Sequence, residues 1–227
     1  MTKIKICGLK NTENAIAATE YGADFLGVVF AKNSKRYVSP KTAKVLIESI
    51  KNSFDSKLQP KWVGVFQDQD LKEVNDILTY CNVDIAQLSG DEDMEYCKGL
   101  SKPIFKVTHI HNDIDTAEQM VSVEQSIRAT TSNGYTSMLD TSLQNMKGGT
   151  GATFDWNIAS KLSNSYKLII AGGLNTGNVY NAIDEILPWG VDVSTGVENN
   201  GQKDNAMIWS FIRQVKLADI KNNKYII

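Results

Sequence analysis

The sequence predicts an α/β fold of one kind, a single-domain (β/α)8 TIM barrel over residues 1–227 with a phosphate site at the loops after strands seven and eight. Three observations predict it. Short β-branched runs alternate with longer segments of helical period along the chain, which is the rhythm of a parallel sheet whose strands are joined by helices. Eight such units can be counted, the number that closes a barrel. The 227 residues lie near the about 250 typical of that fold. A doubly wound open sheet shares the rhythm, but its G-x-G-x-x-G turn after the first strand is missing, and Cys7-Gly8-Leu9-Lys10 stands there instead.

Strand one runs from Lys3 to Cys7. Its alternation turns Ile4 and Ile6 toward the helices and Lys5 and Cys7 into the barrel. Asn11 then caps a helix over Thr12 to Tyr21, because a short side-chain oxygen accepts from the free amides of the first turn. Gly22-Ala23-Asp24 turns this helix into strand two, Asp24 to Phe30, with Gly22 supplying a positive φ. Ser39 caps a helix over Pro40 to Ser49, and strand three is Lys61 to Phe66. Asp70 caps Leu71 to Tyr80, followed by strand four at Asp84 to Leu88, a helix over Glu92 to Leu100 and strand five at Pro103 to Val107. The polar stretch Thr108 to Asn133 holds the fifth helix. Strand six is Tyr135 to Leu139, Asp155 is a further cap, and strand seven is Lys167 to Ala171. Trp189-Gly190-Val191-Asp192 marks a second helix-to-strand turn, again with Gly at positive φ, before strand eight at Val191 to Val193 and a last helix over Gln202 to Leu217.

Composition removes several classes of function. A hydrophobic fraction of 42% with 22% charged residues is that of an ordinary folded domain. With 24 Lys+Arg against 26 Asp+Glu, nothing global draws the chain to nucleic acid or to an anionic membrane. The start MTKIKICGLK carries no secretory signal pattern, and no run is long and apolar enough to span a bilayer, so a cytoplasmic location is expected. Cys7, Cys81 and Cys97 fit neither a redox pair nor a zinc ribbon, which predicts free thiols and no structural metal. His109 and His111 share a face only if strand five runs that far, and they are read as surface residues.

Barrel chemistry sits at the C-terminal ends of the strands. After strands seven and eight stand Ala171-Gly172-Gly173-Leu174 and Ser194-Thr195-Gly196-Val197-Glu198, where glycine lets backbone amides approach a phosphate, or merely makes tight turns. Commonly a short extra helix completes such a site. Gly148-Gly149-Thr150-Gly151 offers a third set of amides or a hinged lid. Cys7, at the end of strand one, is either a small buried hydrophobe or a reactive thiol whose pKa Lys5 lowers from below. Asp140 ends strand six as a loop cap or as a carboxylate delivered to the mouth. Counted round the ring, Cys7 and Asp140 face each other across the phosphate loops, an acid and a base suited to isomerising a small sugar phosphate. Asp192 faces inward beside Lys5, as its ion-pair partner or as a ligand contact. Arg36 is a fork for a carboxylate or phosphate, in a different sector from loops seven and eight, or else a solvated surface residue.

Together with Lys5-Ile6-Cys7-Gly8, Ser34-Lys35-Arg36-Tyr37-Val38-Ser39-Pro40, Gln87-Leu88-Ser89-Gly90-Asp91-Glu92, Leu139-Asp140-Thr141, Gly148-Gly149-Thr150-Gly151 and Phe154-Asp155-Trp156, these loops make the chain resemble the phosphoribosylanthranilate isomerases of tryptophan biosynthesis. The resemblance implies an Amadori rearrangement without cofactor or metal, with Asp140 as general acid and Cys7 as general base. It further implies Arg36 on the anthranilate carboxylate, Asp192 on the sugar, and amides near Gly149, Gly151, Gly172, Gly173, Ser194 and Gly196 on the phosphate. The implied partner is a small phosphosugar, not nucleic acid or membrane, bound by a monomer or homodimer. One position departs: Ser89 stands where most of the family has His, which leaves acid and base in place. Another phosphosugar isomerase or epimerase barrel, and a phosphosugar-binding protein without catalysis, are the alternatives.

Overall fold

Eight parallel strands close into a barrel in chain order, each hydrogen-bonded to the next and the eighth to the first. They are β1 Lys3–Ile6, β2 Phe25–Val29, β3 Lys61–Phe66, β4 Ile85–Leu88, β5 Ile104–His109, β6 Thr136–Asp140, β7 Leu168–Ala171 and β8 Gly190–Val193. Between and after them lie α1 Thr12–Tyr21, α2 Pro40–Ser53, α3 Leu71–Tyr80, α4 Met94–Lys98, α5 Thr116–Ser132, α6 Asn157–Ser163, α7 Val179–Ile186 and α8 Asn205–Asn223. A small antiparallel hairpin, β9 Glu198–Asn199 with β10 Gln202–Lys203, precedes α8. The computed structural model describes residues 1–110, 116–140 and 156–223.

The two-residue period of each strand sorts its side chains between two cores. Ile4 and Ile6 join Leu26, Leu88, Leu139, Ile170 and Val191 in the layer between strands and helices. The barrel interior is stacked from the bottom. Phe25 and Phe105 meet edge to face at 5.3 Å near Trp189. Val63, Ile85, Met138 and Ile169 share that inner cluster, and Cys7, Val29, Ala31 and Val65 form another near the mouth. This filled interior leaves chemistry to the rim.

Caps predicted from single residues are in place. The side chains of Asn11, Ser39 and Asp70 accept from the amides of Asn14, Thr42 and Lys72, and Gly22 closes α1 at φ 98°. Three expectations need correction. Glu92 does not begin α4; its carboxylate accepts from the amides of Asp68 and Gly90 and from the Lys106 ammonium, while Asp93 caps the helix. Gly190 is not a positive-φ turn residue. Leu187, at φ 52°, ends α7, and Gly190 is inside β8, where a Cβ would lie 3.1 Å from the Lys3 carbonyl oxygen. Gln202 and Lys203 belong to β10, so the last helix starts at Asn205. α6 follows Trp156 without a side-chain cap, and Asp155 lies outside the described residues.

Candidate active site at the mouth of the barrel

Cys7 lies just beyond β1, 6% exposed, with its amide donating to the Val193 carbonyl at 2.8 Å. Glycine at position 27 makes room for it, since a Cβ there would lie 2.9 Å from the Cys7 Sγ. Below Cys7, Lys5 Nζ lies 2.8 Å from Asp192 Oδ1, the two side chains 1% and 9% exposed. The register of β1 against β8 sets Lys5 opposite Asp192, so the ion pair follows from strand pairing. Burial disfavours the Lys5 ammonium, but Asp192 and Cys7 together outweigh it and hold its pKa above the ordinary value. The expected effect on the thiol is not found. Burial pushes Cys7 up, the Lys5 charge pulls it down and Asp192 offsets part of that pull, so its pKa stays above the usual thiol range.

Arg36 also departs from expectation. It does not occupy a separate sector of the mouth; it reaches loop eight. Its Nε and Nη2 donate to the two carboxylate oxygens of Glu198 at 2.7 and 2.9 Å, and Nη2 also donates to Thr195 Oγ1 at 2.9 Å. The loop after β2 folds back on that strand, with the Val38 amide donating to the Val29 carbonyl. In a closed barrel only the end of β1 then separates Arg36 from loop eight. That end carries Gly8, where a Cβ would sit 2.5 Å from the Arg36 Cδ. The long side chain crosses because Gly8 has none.

Glu198 is the hub of this corner. It also accepts from Lys203 Nζ at 2.7 Å, and the Glu198 and Lys203 side chains are 7% and 4% exposed. Burial opposes ionisation, but hydrogen bonds and charges from Arg36 and Lys203 prevail and hold the Glu198 carboxyl at about 2, from an ordinary 4.5. A depressed carboxyl stabilises the fold above its unfolded pKa and loses that contribution as pH falls toward the folded one. Wild type is therefore expected to exceed Glu198→Gln by up to about 3 kcal/mol at neutral pH. Denaturant titrations should show the gap shrinking from about pH 4.5 and vanishing near pH 2. A gap constant across that window would refute the assignment.

Loops seven and eight lie backbone to backbone. Gly172 and Gly173 adopt φ 80° and 66°, so the tight-turn requirement is real. The side-chain amides of Asn175 and Asn178 donate to the Gly173 carbonyl. A bridge joins Asn175 to Gly196, where a Cβ would collide with the Leu174 carbonyl oxygen. Ser194 Oγ donates to the Cys7 carbonyl at 3.2 Å and Lys203 Nζ to the Ser194 carbonyl at 2.8 Å. Where an extra helix is common in such barrels, this chain forms the hairpin β9–β10.

Across the mouth, Asp140 ends β6 two residues after the inward-facing Met138, half-buried. The register places it between His109 of β5 and Ala171 of β7. Reading His109 as a surface residue is corrected. β5 continues to His109, held because the Ile110 amide donates to the Asp140 carbonyl at 3.0 Å. The ring, half-buried, has Nε2 3.1 Å from the Ser89 carbonyl oxygen.

Cys7, Arg36, Asp140, Asp192 and the glycine loops thus gather at one end of the barrel. Residues 4–214 match the family model described as N-(5'phosphoribosyl)anthranilate (PRA) isomerase. The N-(5'-phosphoribosyl)anthranilate isomerase of Dehalococcoides mccartyi is 41% identical over 219 residues, 96% of this chain and 98% of that protein. The chain belongs to this isomerase family. A relative of the same name from Oceanobacillus iheyensis is 40% identical over 217 residues, 96% of this chain and 98% of its own. The phosphoribosyl anthranilate isomerase structure from Thermotoga maritima is 33% identical, covers 95% of this chain and 99% of its own, and superposes with a TM-score of 0.81. Another solved isomerase, 31% identical with a TM-score of 0.77 over 95% of this chain and 99% of its own, holds reduced 1-(o-carboxyphenylamino)-1-deoxyribulose 5-phosphate.

For this family member, Gly149, Gly151 and His111 lie outside the described residues. The reading of single residues missed the partners that aim the site, Glu198 and Lys203, and the positions that make room for it, Gly8 and Gly27. Glu198 and Gly8 stand inside runs that the sequence singles out, Ser194 to Glu198 and Lys5 to Gly8, but neither carries a role there. No helix among the described residues is long and apolar enough to cross a membrane.

Proposed function

We propose that this chain converts N-(5'-phosphoribosyl)anthranilate to 1-(2-carboxyphenylamino)-1-deoxyribulose 5-phosphate in tryptophan biosynthesis, by an Amadori rearrangement that uses its own side chains alone. The observation that carries the reading is the placement of Cys7 and Asp140, inward at the ends of β1 and β6, on either side of the glycine loops after β7 and β8, in a chain of this family. Protonated Asp140 delivers its proton to the furanose oxygen as the bond from that oxygen to C1 breaks, leaving a Schiff base to the aryl nitrogen. Cys7, as thiolate, takes the proton from C2 and gives the enolamine. Protonation at C1 and loss of the C2 hydroxyl proton then yield the ketone, so the overall change is an isomerisation.

The supporting roles are those the family resemblance implies, and the positions of these residues at the mouth are compatible with them. Backbone at Gly172, Gly173, Ser194 and Gly196 would hold the phosphate, with Gly149 and Gly151 proposed alongside them. Arg36 would meet the anthranilate carboxylate while Glu198 holds its guanidinium in position. Asp192, already paired with Lys5, would reach the sugar with its second oxygen. The test is loss of fluorescence on mixing purified protein with freshly made phosphoribosylanthranilate. Rapid loss supports the reading, and loss at the spontaneous rate from folded protein refutes it.

A further inference from the structure

The His109 imidazole occupies the mouth beside the proposed acid, and no step of the mechanism above uses it. We propose that His109 is a specificity residue that contacts the aryl-amine half of the substrate. The inference rests on the proposed reaction and extends it to a recognition element for the flat, nitrogen-bearing aromatic group.

Three observations carry it. First, His109 faces inward: Val107, two residues earlier, belongs to the inner core, and β5 sets His109 beside Asp140 in register. Second, the ring is held rather than loose. A carbonyl oxygen only accepts, so Nε2 carries a proton and donates it to Ser89 at 3.1 Å. The Ile110 amide bonded to the Asp140 carbonyl fixes the backbone beneath. Third, the neighbouring strand leaves the space to it. Ser89 is short and its hydroxyl accepts from the Gln87 side-chain amide at 3.2 Å, so that hydroxyl is turned to Gln87 and not to the imidazole.

The order of groups round the rim selects which part of the substrate this ring meets. The glycine loops follow β7 and β8, Asp140 ends β6, His109 ends β5 and Ser89 follows β4. A substrate with its phosphate on the loops and its furanose oxygen at Asp140 holds C1 beside Asp140, so the amine on C1, and the ring it carries across the mouth with its carboxylate toward Arg36, starts next to His109. An imidazole offers that group a flat face and a second ring nitrogen.

The experiment compares two ligands on wild type, His109→Ala and His109→Gln. Ribulose 5-phosphate has phosphate and sugar without the aryl group; reduced 1-(o-carboxyphenylamino)-1-deoxyribulose 5-phosphate has all three. The expected result is about tenfold weaker binding of the aryl ligand to His109→Ala, the size of one lost polar or ring contact, with ribulose 5-phosphate within about twofold of wild type. His109→Gln, whose amide still donates toward Ser89 but has no ring, is expected to share the selective loss. KM should rise in both variants with kcat little changed. Equal loss of both ligands restored by His109→Gln would show an anchor for the β4 loop only and overturn the proposal, as would unchanged affinities. Wild type with no turnover would refute the reaction itself, and this inference with it; wild type with normal turnover and no selective loss would refute the inference alone.

Discussion

Asp140→Asn is expected to lower kcat/KM by at least about a hundredfold, while the affinity for ribulose 5-phosphate stays within about twofold. Asparagine keeps the size and the hydrogen-bonding reach of the side chain but has no acidic proton to give to the furanose oxygen. Ring opening would then rely on water, which the half-buried position at the end of β6 does not place. Steady-state assays with fluorescent substrate measure the first quantity, and competition by ribulose 5-phosphate the second. An Asn variant with more than about a tenth of wild-type kcat/KM would remove Asp140 as the acid.

The second large effect is on Cys7. Cys7→Ala and Cys7→Ser should each fall by about a hundredfold or more, because alanine has no base and a serine hydroxyl is far less acidic than a thiol. Glycine at position 27 leaves space against which either residue packs, so folding should survive. The two lesions are distinguishable. Removing the base makes C2–H cleavage limiting, so substrate deuterated at C2 should turn over more slowly in Cys7→Ser and show little isotope effect in Asp140→Asn. The raised pKa of Cys7 adds a constraint: the free protein holds it as thiol, with burial as the leading cause. Thiolate absorbance from Cys7 should therefore be missing near neutrality and grow only in the alkaline range. An equal isotope effect in both variants would contradict this division of labour, and thiolate at neutral pH in the unliganded protein would contradict the raised pKa of Cys7.

The eight strands were legible because apolar β-branched runs have a period of two and end at turns. β3 coincides with its predicted span, and the others shift by one or two residues. The sequence pattern ends β5 at Val107 because Thr108 and His109 break the apolar run, yet backbone bonds to β6 carry the strand through them. The single-residue signals of Asn11, Ser39 and Asp70 were legible because each acts on amides two or three residues away. Glu92 was not, since its partners Asp68 and Lys106 come from other units. The same distinction divides the site. Cys7 and Asp140 could be placed by strand period alone, whereas the union of Arg36 with Glu198 depends on barrel closure and on Gly8 being bare. The thiol followed a balance that sequence cannot weigh: Lys5 is present as expected, but Asp192 and burial decide its effect.

The pairs that join the first units of the chain to the last also have a meaning in time. Thr2 bonds Asp219, Lys5 bonds Asp192 and Arg36 bonds Glu198, across 217, 187 and 162 residues of chain. Contacts that distant form late, because the chain entropy lost in bringing them together is repaid only when the intervening sheet is already assembled. Cys7 and Arg36, made early during synthesis, thus wait for almost the entire polypeptide before they meet loop eight. A nascent or partly folded chain has the acid and the base but no assembled mouth, and turnover reports that the seam has closed.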